Sequence, residues 1–134
     1  MVILLGVIMF LSIRETVMSK QILDIPKKNE ISFIEIYNDF SSNTSKLHTI
    51  EDAKDISEIY NALLLVKKNK IMQSIDDSPT NINGKLIRIV LADSSNNLIS
   101  LFVYQGNDGK YYIEKPYEGI YEISVQVYET FTKF

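Results

Sequence analysis

The sequence contains no cysteine, which excludes disulfides, thiol nucleophiles, thiolate metal sites and lipid attachment through a cysteine. It does not fix the compartment. His48 is the sole histidine. Without a nucleophile and carboxylate pattern around it, a lone histidine is not a triad, and zinc would need carboxylates for nearly all of its ligands. Arginine is almost as scarce, with only Arg14 and Arg88. Since arginine is the preferred bidentate partner of phosphate and carboxylate, a dedicated anion clamp is not expected. A formal net charge of −3 offers no basic face to nucleic acid. No cofactor signature is present either: Gly106 and Gly109 are not followed by a Walker lysine pattern.

What remains is ordinary globular material. With 134 residues, 46% of them hydrophobic and 23% charged, the chain has enough apolar side chain to form a core and too little charge for wholesale disorder. Met1 to Ile13 reads MVILLGVIMFLSI, apolar but for Ser12. As a helix it would reach about 20 Å, short of a hydrocarbon core of about 30 Å, and it has the length of a signal-peptide apolar region. No Lys or Arg precedes it and no A-x-A site follows. Its all-round apolarity argues against a surface helix, which needs a polar face. The expected organisation is an apolar leader or signal-anchor remnant over 1–14, a polar tether over 15–30 and one α+β domain over 31–134.

Within 31–134 the patterns are clear. Ile31 to Tyr37 is β-branched and aromatic, a strand, and Lys46 to Ile50 is a short candidate second strand. Ile56, Ile59, Tyr60, Leu63 and Val66 recur at helical spacing, predicting a helix over 51–68 with Thr49 as N-cap and Asp52 at the capping-box position. Ser74 to Gly84 reads as a loop. Lys85 to Leu91, Leu98 to Tyr104, Lys110 to Glu114 and Gly119 to Ile123 read as a meander of strands, and Ser124 as the cap of a short last helix ending near Phe131. The expected fold is therefore α+β: an antiparallel sheet with one main helix packed on one face, a short C-terminal helix and the N-terminal apolar leader.

The candidate chemical groups have simpler structural explanations. Asp76-Asp77 before Ser78-Pro79 is an acid pair in a turn sequence. Asp93 to Asn97 begins like a calcium loop but has Leu98 and Tyr104 where glycine and glutamate are required. Glu114, Glu118 and Glu122 stand among tyrosines, an arrangement that suggests sugar hydrolysis but that solvated strand edges explain more simply. Strand alternation places Ile34, Ile36, Ile87, Ile89, Leu91, Leu101 and Val103 on one sheet face, under the helix. The opposite face then carries Phe33, Glu35, Tyr37, Arg88, Phe102 and Tyr104. Phe33, Tyr37, Arg88, Phe102 and Tyr104 are the candidate partner-binding face, partly exposed unless the last helix covers them.

Four segments carry a resemblance: IPKKNEISFIEIYN (Ile25–Asn38), EDAKDISEIYNALLLVKKNK (Glu51–Lys70), SIDDSP (Ser74–Pro79) and LFVYQGNDGKYYIEKPYEGIYEIS (Leu101–Ser124). Over about residues 22–132 the chain resembles a family of small proteins of unknown function from low-GC Gram-positive bacteria, typically anchored or secreted through an N-terminal hydrophobic segment; YYIEKPYEGIYEI (Tyr111–Ile123) is its most specific part. The resemblance implies an extracytoplasmic location, carries over no catalytic residue and adds nothing on mechanism. The expectation is a non-enzymatic extracytoplasmic interaction module that contacts the membrane through its leader and binds a protein or cell-envelope component, without cofactor or metal. The alternatives are an immunity or inhibitor protein against an exported toxin or enzyme, an envelope glycan-acting enzyme using Glu114, Glu118 or Glu122, or a cytoplasmic protein whose leader belongs to its core.

Overall fold

A computed structural model describes residues 23–38, 45–66 and 70–134. The expected leader and the first part of the expected tether lie outside them. The elements are β1 (Ile31–Asn38), β2 (Ser45–Ile50), helix α1 (Ala53–Val66), β3 (Lys70–Met72), β4 (Leu86–Asp93), β5 (Leu98–Gln105), β6 (Tyr111–Lys115), β7 (Gly119–Ile123) and helix α2 (Val125–Thr132). The strands form one seven-stranded antiparallel sheet in the order β2-β1-β4-β5-β6-β7-β3. The fold is α+β, with one main helix and a short C-terminal one.

Strand register divides the side chains cleanly. Ile34 and Ile36 face Leu91 and Ile89, which face Ile99 and Leu101, and Val103 faces Ile113. This aliphatic face receives the α1 stripe of Ile56, Ile59, Leu63 and Val66, and together they form the main core. Each such side chain contributes roughly 1.5–3 kcal/mol by leaving water. The start of α1 departs from expectation. Thr49 is not its cap, because its β-branched side chain stays in the sheet opposite Glu35. Asp52 serves instead: its side chain accepts from the Lys54 amide at 2.7 Å and its carbonyl from the Ile56 amide at 3.0 Å.

Helix α2 is capped as expected, with Ser124 Oγ accepting from the Val127 amide at 3.2 Å. It lies beside α1 on the same aliphatic face. Val127 and Phe131 enter the main core, the Tyr128 and Tyr111 rings meet at 4.4 Å, and Lys133 pairs with Glu58 of α1. Residues 124–134 therefore do not cover the aromatic face.

Two expectations need correction. The folded body does not start at Ile31: Leu23 is fully buried in the main core, Ile25 packs on it, and Lys115 Nζ donates to the Asp24 carbonyl at 2.7 Å. Ile22, Leu23 and Ile25 are too few to show a period among the charged residues around them, so composition alone suggests a tether. The second is β3, unforeseen because three residues are too few to show alternation. Lys70 and Met72 pair with Tyr121 and Ile120 at the far edge of the sheet. The chain thus crosses the aliphatic face through α1, adds β3, and returns across the other face through residues 73–85 to reach β4.

Candidate functional site

The returning segment makes the site. Gln73 Nε2 donates to the Tyr117 carbonyl at 2.9 Å, and Ser74 Oγ accepts from the Tyr117 amide at 3.2 Å, fixing one end on the β6–β7 turn. That turn is held sharply by Tyr117 in the left-handed region at φ 62°. At the other end the Asn83 amide donates to the Gln105 carbonyl at 2.8 Å. Between these ties Ile82 packs on a second, smaller cluster of Leu86, Phe102, Tyr104 and Tyr112. A cavity of about 340 Å³ remains between segment and sheet. That lies at the small end of the range for ligand sites.

The sheet supplies the cavity's walls. The Gly106–Gly109 turn closes the β5–β6 hairpin so that Tyr104 stands opposite Tyr112, their rings 5.7 Å apart. Gly106 is required here: a Cβ at this position would lie 2.7 Å from the Tyr112 ring. Glu114, two residues on, points to the same face and is buried, with only 4% exposed. Tyr104 donates its hydroxyl proton to Glu114 at 3.3 Å, and Tyr112 donates to Asp108 of the turn.

These contacts move the titrations apart. Burial is the main cause raising the Glu114 carboxyl above its ordinary value, and the negative charge of Asp76 adds to it, while hydrogen bonds from Ser74 and Tyr104 oppose the rise. Asp108 moves the other way, lowered chiefly by the Tyr112 hydrogen bond. The same bond is the first cause pushing the Tyr112 phenol up to about 12. Burial, then Glu114, raises Tyr104 further still. Among the described residues, no group of three or more His, Cys, Asp or Glu is arranged to hold a metal ion.

The expected partner-binding residues divide into two groups. Phe33, Tyr37 and Arg88 are half-buried on β1 and β4. The Arg88 guanidinium lies over the Tyr37 ring, 4.4 Å from its centroid, and the Tyr37 hydroxyl donates to Glu35. That bond is the first cause raising the Tyr37 phenol. Phe102 and Tyr104, in contrast, are 7% and 2% exposed, because residues 73–85 pack over their end of the face. They are cavity wall and packing rather than open surface.

The three glutamates also separate. Glu114 is not a solvated edge residue. Glu118 pairs with Lys115 at 2.8 Å and Glu122 with Lys110 at 3.9 Å, both outside the cavity. Asp76, read as a turn acid, lines it. His48 is exposed on β2. Asp93 is a turn residue: its Oδ1 accepts from the Ser95 and Asn97 amides, each at 2.9 Å. Sequence reasoning missed Tyr112 and Asp108. Counting alternate residues outward from the Gly106–Gly109 turn finds Tyr112 opposite Tyr104; nothing marks Asp108, since turn aspartates are common.

The chain belongs to the family DUF5301, whose description reads "Domain of unknown function (DUF5300)" and whose model matches residues 19–122. The match begins ahead of Leu23, consistent with that residue's place in the core. No curated protein matches the chain, and no solved structure matches it.

Proposed function

We propose that the chain is a non-enzymatic interaction module that works outside the cytoplasm, held at or passed across the membrane by its apolar N-terminal stretch, and that it binds a protein or cell-envelope component. The cavity beneath residues 73–85 carries this reading. It is a concavity with two tyrosine rings and a buried carboxyl, bordered by exposed apolar side chains, and its phenols are already bonded to its own carboxylates. Such a surface recognises rather than reacts. The apolar run of Met1 to Ile13 supports the location, and so does the resemblance to anchored or secreted proteins of low-GC Gram-positive bacteria. No helix among the described residues is long and apolar enough to cross a membrane.

The test is a fusion of residues 1–22 to a reporter that is active only outside the cytoplasmic membrane. Activity is expected. A reporter retained wholly in the cytoplasm overturns the location.

A second reading has one observation in its favour. Glu114 and Asp108 border one cavity with their titrations displaced in opposite directions, as a general acid and a base require. Hydrolysis of an envelope glycan by the intact chain, abolished in Glu114→Gln, would establish it over the first.

A further inference from the structure

The cavity's chemistry narrows what it can hold. Among the described residues its lining includes Asp76, Asp108 and Glu114 and no lysine, arginine or histidine. A phosphate, sulfate or carboxylate ligand would enter against like charge with nothing to neutralise it. The principal hydrogen-bond donors are already committed within the protein. Tyr104 donates to Glu114, Tyr112 to Asp108, and Gln73 to the Tyr117 carbonyl. The wall therefore includes carboxylates and two aromatic rings, groups that attract positive charge. A ligand that suits it brings donors and a cation, and few acceptors.

The rim adds a second requirement. Ile71, Met72 and Ile75 border the cavity with 52%, 60% and 77% of their surface exposed. An apolar border around an acidic interior matches a group with an apolar stem and a charged tip. Ile71 and Met72 belong to β3, which among the described residues is an edge strand paired with β7 on one side only. The backbone on its other side is where an extended segment would add.

We infer that the cavity receives the ε-ammonium of a lysine carried on an extended partner segment, with the ammonium against the acidic lining beside Asp76 and Glu114 and the aliphatic stem against Ile71, Met72 and Ile75. This rests on the reading of the chain as a binding module and supplies the partner's chemistry. An ammonium has three donors and no acceptor, the complement of this wall. Its stem matches the rim, which a small hydrated metal ion would leave uncovered.

The experiment uses the intact isotope-labelled chain and amide NMR. Three blocked peptides serve as probes: acetyl-Val-Lys-Val-amide, the same peptide with its lysine side chain acetylated, and acetyl-Val-Glu-Val-amide. The lysine peptide is expected to shift amides of β3 and of residues 73–82, with affinity at least about tenfold above the acetylated peptide. Asp76→Asn, a change at an exposed turn residue that leaves the fold intact, is expected to weaken the lysine peptide by about threefold to tenfold and the acetylated one hardly at all. Equal binding of lysine and acetyl-lysine peptides at these amides, or stronger binding of the glutamate peptide, overturns the ammonium assignment while the binding-module reading stands. Failure of all three peptides to shift these amides overturns the assignment and removes the cavity as that reading's support. n-Butylammonium that matches the lysine peptide in affinity overturns the contribution of the extended segment.

Discussion

The two faces of the sheet are made from alternate residues of the same strands, yet they are covered in different ways. On one, Ile34, Ile89, Leu101 and Ile113 lie under α1 and α2, and the interface is aliphatic and closed. On the other, Phe102, Tyr104 and Tyr112 lie under an irregular segment whose ties are hydrogen bonds at its ends, and a cavity remains. A helix satisfies its own backbone and can present a continuous apolar stripe. A loop must spend side chains and strand ends on satisfying its backbone, so it cannot seal what it covers. The helical face accounts for stability. The loop-covered face leaves room for chemistry such as a buried carboxyl beside two phenols.

The comparison can be broken first by truncation. Leu63, fully buried in the α1 stripe, should lose about 2–5 kcal/mol on change to alanine, read by urea denaturation. A loss below about 1 kcal/mol would show that the aliphatic face is not the source of stability. Next comes pH. The folded Glu114 carboxyl is raised above its ordinary 4.5, so it keeps its proton longer in the native than in the unfolded chain. Its contribution is fully present below 4.5 and is lost as pH rises through the raised folded value. Glu114→Gln holds no proton to lose. Relative to the parent it should gain stability as pH climbs above 4.5 and level off once the raised folded value is passed, measured by denaturation at each pH. A constant difference would mean that Glu114 is less enclosed than its burial indicates. The smallest effect belongs to the surface: Lys133→Ala removes the pair with Glu58, whose partners are about half exposed, and should cost about 0–1 kcal/mol, less in high salt.

Much of the fold was legible because it rests on repetition. The α1 stripe, the alternation in β1, β4 and β5, the Ser124 cap and the hairpin signals at Asp93 and Gly106 are each local patterns with one geometric solution. The site was less legible because it arises where distant segments meet. Glu114 reads as one of three similar glutamates until β3 brings Ser74 and Asp76 against it, and β3 is too short to announce itself. Strand alternation assigns Tyr104 to the correct face, but its burial depends on Ile82, a half-buried residue in a loop. Leu23 shows the same limit at the other end, since its partners lie across the sheet.

The position of β3 also bears on local opening. Strands β4 to β7 are joined by short turns and can zip as a meander, but β3 precedes them in the chain and can pair only with β7, the last strand of that meander. That pairing closes a long connection, and the segment behind β3 depends on it. The cavity depends on the same pairing. With a three-residue strand to hold it, it should be among the first to open, so that amide exchange at β3 runs faster than global unfolding while the meander stays protected.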